Sequence, residues 1–474
     1  MELSVFAIVI LLMEVLGVFA ALHAVMNIKT SQGAIAWSIS LVTFPWFALP
    51  LYAIFARDKF HGYVLLRHAK DQKIRYIIDQ CSLDAREGEI VQPVDSEIEL
   101  ALSRLADRPI LKFNRSRLLM DGKETFRSIF DAIDAAEDYV LIEFFIIQDD
   151  RLGMELKQRL IRKSRDNVRI YFLYDEIGSY SLSDDYLQDM EREGVAVSPF
   201  GTTRGRANRF QLNFRNHRKI VVVDGVCAFV GGHNVGDEYI SGHPRLGPWR
   251  DTHIKVEGPI VQAVQFSFVE DWYWATTDIP ELNWELRKAE AGVEDALLIP
   301  SGPADNIETC GLMFTQAINS AKERIWISSP YFVPDRQILA ALKLAVLRGV
   351  DVRILLPEKA DQRVVHLASH SFYPNVIPAG VKLYRYMPGF MHQKVFLVDA
   401  SCAAVGTANL DNRSFRLNFE LTLLIFNNSF VKKVEAMLRN DFENSRLVAI
   451  EEYTNRRLPF RLAVRLASLL SPIL

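Results

Sequence analysis

The chain opens on two long apolar stretches and then changes period. From Ser4 to Met26, and again from Gly33 to Ala56, apolar residues run almost unbroken, each stretch long enough for the roughly 20 residues of a spanning helix. From about Pro109 onward, short apolar runs alternate with segments of helical period. The pattern predicts a helix over Gly122 to Ala136, a strand over Tyr139 to Phe145, a helix over Gly153 to Lys163 and a strand over Val168 to Tyr174. Further on it predicts a helix over Val261 to Thr277, a linker over Asp278 to Gly292, an amphipathic helix over Gln337 to Arg348 and a strand over Val352 to Leu356. Such alternation is an α/β layer architecture.

The front of the chain reads as a two-span hairpin over residues 1–57, followed by a charged, mixed connector over 58–108. The link between the spans holds one cation, Lys29, whereas Arg57, Lys59, Arg67, Lys70, Lys73 and Arg75 follow the second, so the positive-inside rule places the rest of the chain in the cytoplasm. A cleaved signal peptide fits less well, because the first residues carry Glu2 and no cation. Glu14, in mid-span, is expected to face another helix or to be protonated. Gly17 and Ala21, with Ala20 and Ala24, form small-xxx-small pairs that suit close helix contact within the hairpin or in a homodimer. Pro45 and Pro50 imply a kinked helix or a re-entrant hairpin.

Composition changes this picture little. A net charge of −3 gives no global attraction to nucleic acid, so any electrostatic steering is local. Arg204, Arg206, Arg209, Arg215 and Arg218 do crowd one segment, which suits an anionic headgroup or a solvated basic face. Cys81, Cys227, Cys310 and Cys402 are scattered without a C-x-x-C, which suggests neither a zinc site nor a disulfide framework. After Glu451, Arg457, Arg461 and Arg465 form one stripe and Leu458, Leu462, Leu466 and Leu469 the adjacent one. That spacing predicts an interfacial amphipathic helix in the tail 451–474, or a terminal helix docked on the domain.

The chemistry lies in a repeat. His217-Arg218-Lys219 leads through Ile220 to Val223 to Asp224, and His392-Gln393-Lys394 leads through Val395 to Val398 to Asp399, each reading H-x-K-x4-D. Gly231-Gly232-His233-Asn234 answers Gly406-Thr407-Ala408-Asn409 at the same offset of 175 (392 − 217 and 409 − 234). Residues i and i+2 of an extended segment share a face, so each copy sets an imidazole beside an ammonium. Two copies supply the parts for in-line displacement at phosphorus: one imidazole attacks, the other protonates the leaving oxygen, and the lysines hold the phosphoryl oxygens, with no metal or cofactor demanded. Asp224-Gly225 is a turn signal, so the motif aspartate falls at a strand end, in a structural role.

The paired H-x-K-x4-D with G-[GST]-x-N resembles the phospholipase D superfamily, and the chain as far as about Ile450 resembles its bacterial cardiolipin synthase branch. The resemblance implies duplicated phospholipase D-like domains related by pseudo-twofold symmetry, over 109–290 and 291–450, behind two transmembrane helices. It implies His217 as nucleophile and His392 as acid and then base, Lys219, Lys394, Asn234, Asn409, Gly232 and Thr407 around the phosphate, and a carboxylate in a neighbouring strand to orient each imidazole: Asp251 in the first half, Glu420 in the second. Gly232 departs from the serine common in the family, which leaves only backbone groups there. The offset of 169 between the carboxylates (420 − 251) marks a six-residue insertion within Tyr239 to Trp249, either a shaper of acceptor access or a plain surface loop. The implied reaction is phosphatidyl transfer between two phosphatidylglycerols at the bacterial inner membrane; the alternatives are phospholipid hydrolysis to phosphatidic acid and an inactive membrane scaffold. The two spans and slight acidity weigh against a nuclease.

Overall fold

A computed structural model of the chain describes residues 2–28, 30–56, 60, 63, 89–94, 96–201 and 213–474. Cys81, most of the connector and Arg204, Arg206 and Arg209 lie outside the described residues. The chain divides into two units, residues 1–64 with 202–214, and residues 65–201 with 215–474.

In the first unit the opening stretch is one helix, Glu2–Asn27, and the described residues hold one helix long and apolar enough to cross a membrane, Phe6–Asn27. The second apolar stretch is broken into Ser31–Thr43 and Pro45–Phe55. Pro45 has no N–H to donate back and disfavours helical geometry at Phe44, which adopts φ −138° and ψ 60°. Pro50 stays inside its helix. Gly17 permits the close approach: a Cβ there would lie 2.3 Å from the carbonyl oxygen of Leu41. Ala21, Ala24, Leu41, Ala48 and Tyr52 form the small core. Glu14 lies on the exposed side of its helix, because the packed face is the one carrying Gly17, Ala21 and Ala24, which leaves protonation as the remaining expectation for it.

Among the described residues the second unit is built on a 16-stranded mixed sheet. Its central path runs Ser445–Leu447, Lys382–Tyr386, Asp351–Pro357, Arg324–Ser328, Val395–Val398, Cys402–Gly406, Asn418–Phe426 and Glu294–Ser301. It continues through Leu111–Met120, Thr252–Glu257, Cys227–Gly231, Ile220–Val223, Tyr139–Phe144, Arg169–Asp175 and Ala196–Phe200. Alternating helices form where expected, over Asp121–Asp134, Arg151–Arg165, Ile260–Thr276 and Arg336–Leu347. Asp150 and Asp335 cap two of these helices, accepting from the N–H of Gly153 and of Ile338. Two large apolar cores result, one around Ile142, Phe172 and Phe229, the other around Ile327, Ile354 and Leu383. Burying each such side chain contributes about 1.5–3 kcal/mol. Cys227, Cys310 and Cys402 are buried free thiols within these layers.

The stretch before the first strand contains a helix. Glu97–Ala106 is a helix capped by Ser96, and its Leu102 and Ala106 pack into the core with Leu297 and Ile327. At the other end, Leu458–Ser468 is helical, with Val464 and Ala467 buried and Leu458, Leu462 and Leu466 exposed.

Two short ladders position the site. Arg215–Asn216 pairs in parallel with Asn418 and Phe419, and Phe390–Met391 pairs in parallel with Trp249 and Arg250. Each ladder extends one residue further: the His217 N–H donates to Phe419 O at 2.9 Å and the His392 N–H to Arg250 O at 2.8 Å. The backbone of each motif histidine is thus hydrogen-bonded into the opposite half of the sheet.

Candidate active site

That ladder geometry decides which carboxylate serves which imidazole. Sequence order suggests that Asp251 orients His217 and Glu420 orients His392, but the pairing is crossed. His217 Nδ1 lies 3.0 and 2.9 Å from the two oxygens of Glu420, and His392 Nδ1 lies 2.7 Å from Asp251 Oδ2. The cause is spatial, since each histidine enters beside the strand carrying the other half's carboxylate. With Nδ1 engaged, Nε2 of each ring is the atom left for chemistry, and both side chains retain 9% exposure in an otherwise closed site.

Burial depresses the His217 imidazole to about 4, aided by the charges of Lys219 and Lys394 and opposed by Glu420. Burial likewise holds His392 well below the usual range, with Lys394, Lys219 and His217 adding to the effect. The mutual influence of these four groups marks them as one electrostatic site. Burial thus disfavours the charged form of both rings, and the carboxylate on each Nδ1 opposes that effect by stabilising the imidazolium. Glu420 stays below the ordinary glutamate range: burial alone would raise it, but His217 and its hydrogen bond outweigh that. Asp251, equally buried, is raised.

The lysines are enclosed and partly stripped of their charge. Burial lowers Lys219 to about 7 and Lys394 to about 8. Lys219 Nζ donates to His217 O at 2.6 Å, and Lys394 Nζ donates to His392 O at 2.5 Å. Glu420 and Asp251 oppose that lowering at both lysines.

The other expected residues divide clearly. Thr407 Oγ1 donates to Glu420 Oε2 at 2.6 Å, so its hydroxyl faces the orienting carboxylate instead of an open phosphate position. Ser414 and Asn418 add further donors to Glu420 at 2.8 and 3.1 Å. At the matching position Gly232 leaves room for Asp251, since a Cβ there would lie 2.1 Å from Asp251 Oδ1. Asn234 accepts from the Ile146 N–H at 3.2 Å and donates to the Tyr239 hydroxyl at 3.2 Å, which in turn sits 3.3 Å from His392 Nδ1. Asn409 donates its backbone N–H to Ser414 Oγ. The motif aspartates sit apart from the histidines. Asp224 accepts the N–H groups of Glu137, Asp138 and Tyr139, and Asp399 those of Lys322, Glu323 and Arg324.

Sequence reasoning missed the supports behind the motif. Arg218, expected in a basic approach, is buried and pairs with Asp271 at 2.7 Å. Gln393, between the other histidine and lysine, donates to Asp441 Oδ2 at 3.1 Å, and Asp441 also binds Arg250. Asp271 and Asp441 lie on the helices Ile260–Thr276 and Asn428–Glu443. A signal was available: the residue between His and Lys points to the opposite face, so a polar residue there, under a layer of helix, demands a buried partner. The insertion also packs inward. Leu246 is buried, its carbonyl accepts from Lys359 Nζ at 3.3 Å, and a Cβ on Gly389 would lie 2.0 Å from Pro248 O.

The mixed α/β sheet and the paired sites define an enzyme of the phospholipase D-like class. Residues 314–442 match the family described as "Cardiolipin synthase, PLD-like domain". The chain is 49% identical over 468 residues to cardiolipin synthase A of Pseudomonas entomophila (strain L48), covering 98% of this chain and 97% of that one. It is 48% identical over 472 residues to cardiolipin synthase A of Pseudomonas putida (strain W619), covering 99% and 98%. The fold is also that of the phosphatidylserine synthase of Haemophilus influenzae Rd KW20, with a TM-score of 0.62 at 15% identity over 80% of this chain and 100% of that one. The chain belongs to the cardiolipin synthase A family.

Proposed function

We propose that this protein joins two phosphatidylglycerol molecules into cardiolipin and releases glycerol. The observation that carries the reading is the crossed pairing of His217 with Glu420 and His392 with Asp251 around two enclosed lysines. His217 Nε2 attacks the phosphorus of the first lipid, the bond to the glycerol oxygen breaks, and His392, in its imidazolium form with Nδ1–H on Asp251, gives its Nε2 proton to that oxygen. A hydroxyl of the second lipid then loses its proton to His392 and attacks the same phosphorus, the P–N bond breaks, and His217 is restored. Glu420 and Asp251 stabilise the imidazolium at the stage when each ring carries charge. Lys219 and Lys394 hold the non-bridging oxygens, with Asn234 and Asn409 completing that shell, while the N–H groups of Gly232 and Thr407 are donated to Thr252 O and Leu421 O. Asp224 and Asp399 hold the motif segments in place.

Residues 109–290 and 291–450 are two copies of one domain, a reading supported by the repeat offset and by a strand order that runs alike outward from the Glu294–Ser301 and Leu111–Met120 pair. Residues 1–57 act as a two-span membrane hairpin with the catalytic part in the cytoplasm and 58–108 as the connector; Gly17, Ala21 and Ala24 serve the packing within the hairpin, which leaves a homodimer to its outer faces. The exposed leucines of the tail lie on the bilayer surface. The test is incubation of the purified protein with phosphatidylglycerol labelled in its headgroup. Cardiolipin and free glycerol in equal amounts are expected, and phosphatidic acid without cardiolipin would overturn the reading.

A further inference from the structure

The two ladders that deliver the histidines occupy equivalent places in the repeat, yet their side chains differ in kind. At the offset of 175, Phe390 answers Arg215 (390 − 215), and at the offset of 169 between the carboxylates Asn418 answers Trp249 (418 − 249). Phe390 is the cross-strand partner of Trp249, and Arg215 is that of Asn418. Each pair stands two residues before a histidine and before the carboxylate that orients it, and so shares their face. Ahead of His217 the pair is polar, and Asn418 Nδ2 donates to Glu420 Oε1 at 3.1 Å. Ahead of His392 it is aromatic.

Trp249 and Phe390 pack on each other with ring centroids 4.8 Å apart, and they lie 5.3 and 5.8 Å from the His392 ring. Tyr239 adds a third ring, 6.0 Å from His392 and 4.9 Å from Trp249. Its counterpart in the other half is Ser414 (414 − 239 = 175), a hydroxyl that donates to Glu420 Oε1 at 2.8 Å. Among the described residues His217 meets one ring, that of Phe145, at 4.9 Å. The inserted segment between Tyr239 and Trp249 fastens the aromatic group. Pro248 O accepts from the Phe390 N–H at 2.9 Å, and Leu246 is buried, with its carbonyl bonded to Lys359.

We propose that Trp249 and Phe390, with Tyr239, form a water-excluding wall at His392 that favours a lipid alcohol over water as acceptor, and that Trp249 is its specificity-determining residue. This role depends on the transfer reaction above and deepens it. In the second step the acceptor O–H gives its proton to His392, its oxygen bonds to phosphorus and the P–N bond to His217 breaks. A water molecule in that place follows the same path and leaves phosphatidic acid. To be held there, water needs about two to four polar partners, which ring faces do not supply. The carbon atoms of a lipid glycerol need none, and they bury apolar surface against the rings.

The test measures phosphatidic acid formed per cardiolipin, from phosphatidylglycerol in oxygen-labelled water, using the full chain in phospholipid-detergent micelles. Trp249→Ala is expected to raise that ratio about tenfold or more, with the label carried into the phosphatidic acid. Trp249→Phe keeps a ring and drops the indole Nε1–H, which is buried without a partner, and is expected to hold the ratio within about threefold of the parent. An unchanged ratio in Trp249→Ala, or an equal rise in Trp249→Phe, overturns the wall. Phosphatidic acid without cardiolipin from the parent overturns the transfer reaction itself, and the wall with it. A product ratio does not move when part of the protein is merely unfolded. If Trp249→Ala gives no folded protein, Trp249→Gln, which keeps side-chain length and offers water a partner, is expected to raise the same ratio, and no rise overturns the wall.

Discussion

His217 is held by Glu420, a residue 203 positions away on a strand of the opposite half, with both carboxylate oxygens within 3.0 Å of Nδ1. Neither half can therefore assemble a complete acid–base unit alone. Short ladders carry each histidine to the strand beside its carboxylate, within a sheet that is continuous through the pairing of Leu111–Met120 with Glu294–Ser301.

Replacing Glu420 with Gln keeps the shape and removes the charge that supports the imidazolium. We expect kcat to fall by about 10²- to 10⁴-fold with little change in KM. Asp251→Asn should act through His392, not His217. A lipid with an activated leaving group that needs no proton distinguishes them: in acid-quench trapping the Glu420 variant still forms the phosphohistidine slowly, whereas the Asp251 variant forms it near the parent rate.

Gly232→Ser, which restores a family-like hydroxyl, should inactivate the enzyme. The new Cβ would meet Asp251 Oδ1 at 2.1 Å and force that carboxylate away from His392. Overpacking of this kind costs about 1–3 kcal/mol of stability. Thermal unfolding and initial rates check both effects, and Thr407→Ser, which keeps the donor to Glu420, should retain most activity.

The pH profile follows from the enclosed lysines. Their charged form binds the phosphodiester, and burial lowers Lys219 to about 7 and Lys394 to about 8 in the free enzyme. Rising pH removes that charge, so kcat/KM should fall on a basic limb between pH 7 and 8, the lysines titrating as a coupled pair. A bound anion raises both lysines, so the matching limb in kcat should lie at higher pH. On the acid side His217 stays neutral down to about pH 4, so protonation of the attacking ring gives no limb near 6.5. Initial rates from pH 5 to 9.5, at low and at saturating substrate, separate these limbs.

Asp224 and Asp399 are expected to matter for stability more than for the chemical step. Each receives three backbone N–H groups from the start of a neighbouring strand, and each has a left-handed backbone, with φ of 53° and 51°. Asp224→Ala strands those donors and strains the turn, for a loss of about 2–4 kcal/mol. Asp224→Asn keeps the turn and one acceptor oxygen and should cost roughly half as much. Denaturant unfolding measures the difference, and kcat per folded molecule should change less than tenfold for the Asn variant.

The sequence alone determined the parts list and the local elements. The H-x-K-x4-D repeat named both histidines and both lysines, and the change of period at Pro109 placed strands and helices within a few residues of their observed ends, because these depend on neighbours along the chain. Apolar length predicted the first helix, and Pro45 signalled the break that split the second stretch. Only the tertiary structure decided which carboxylate serves which histidine, that Asp271 and Asp441 anchor the residues inside the motif, and that Thr407 faces Glu420. Those relations join strands and helices far apart in the chain, and sheet pairing is selected by packing and hydrogen bonding across the whole layer. One-dimensional spacing carries no record of which face meets which.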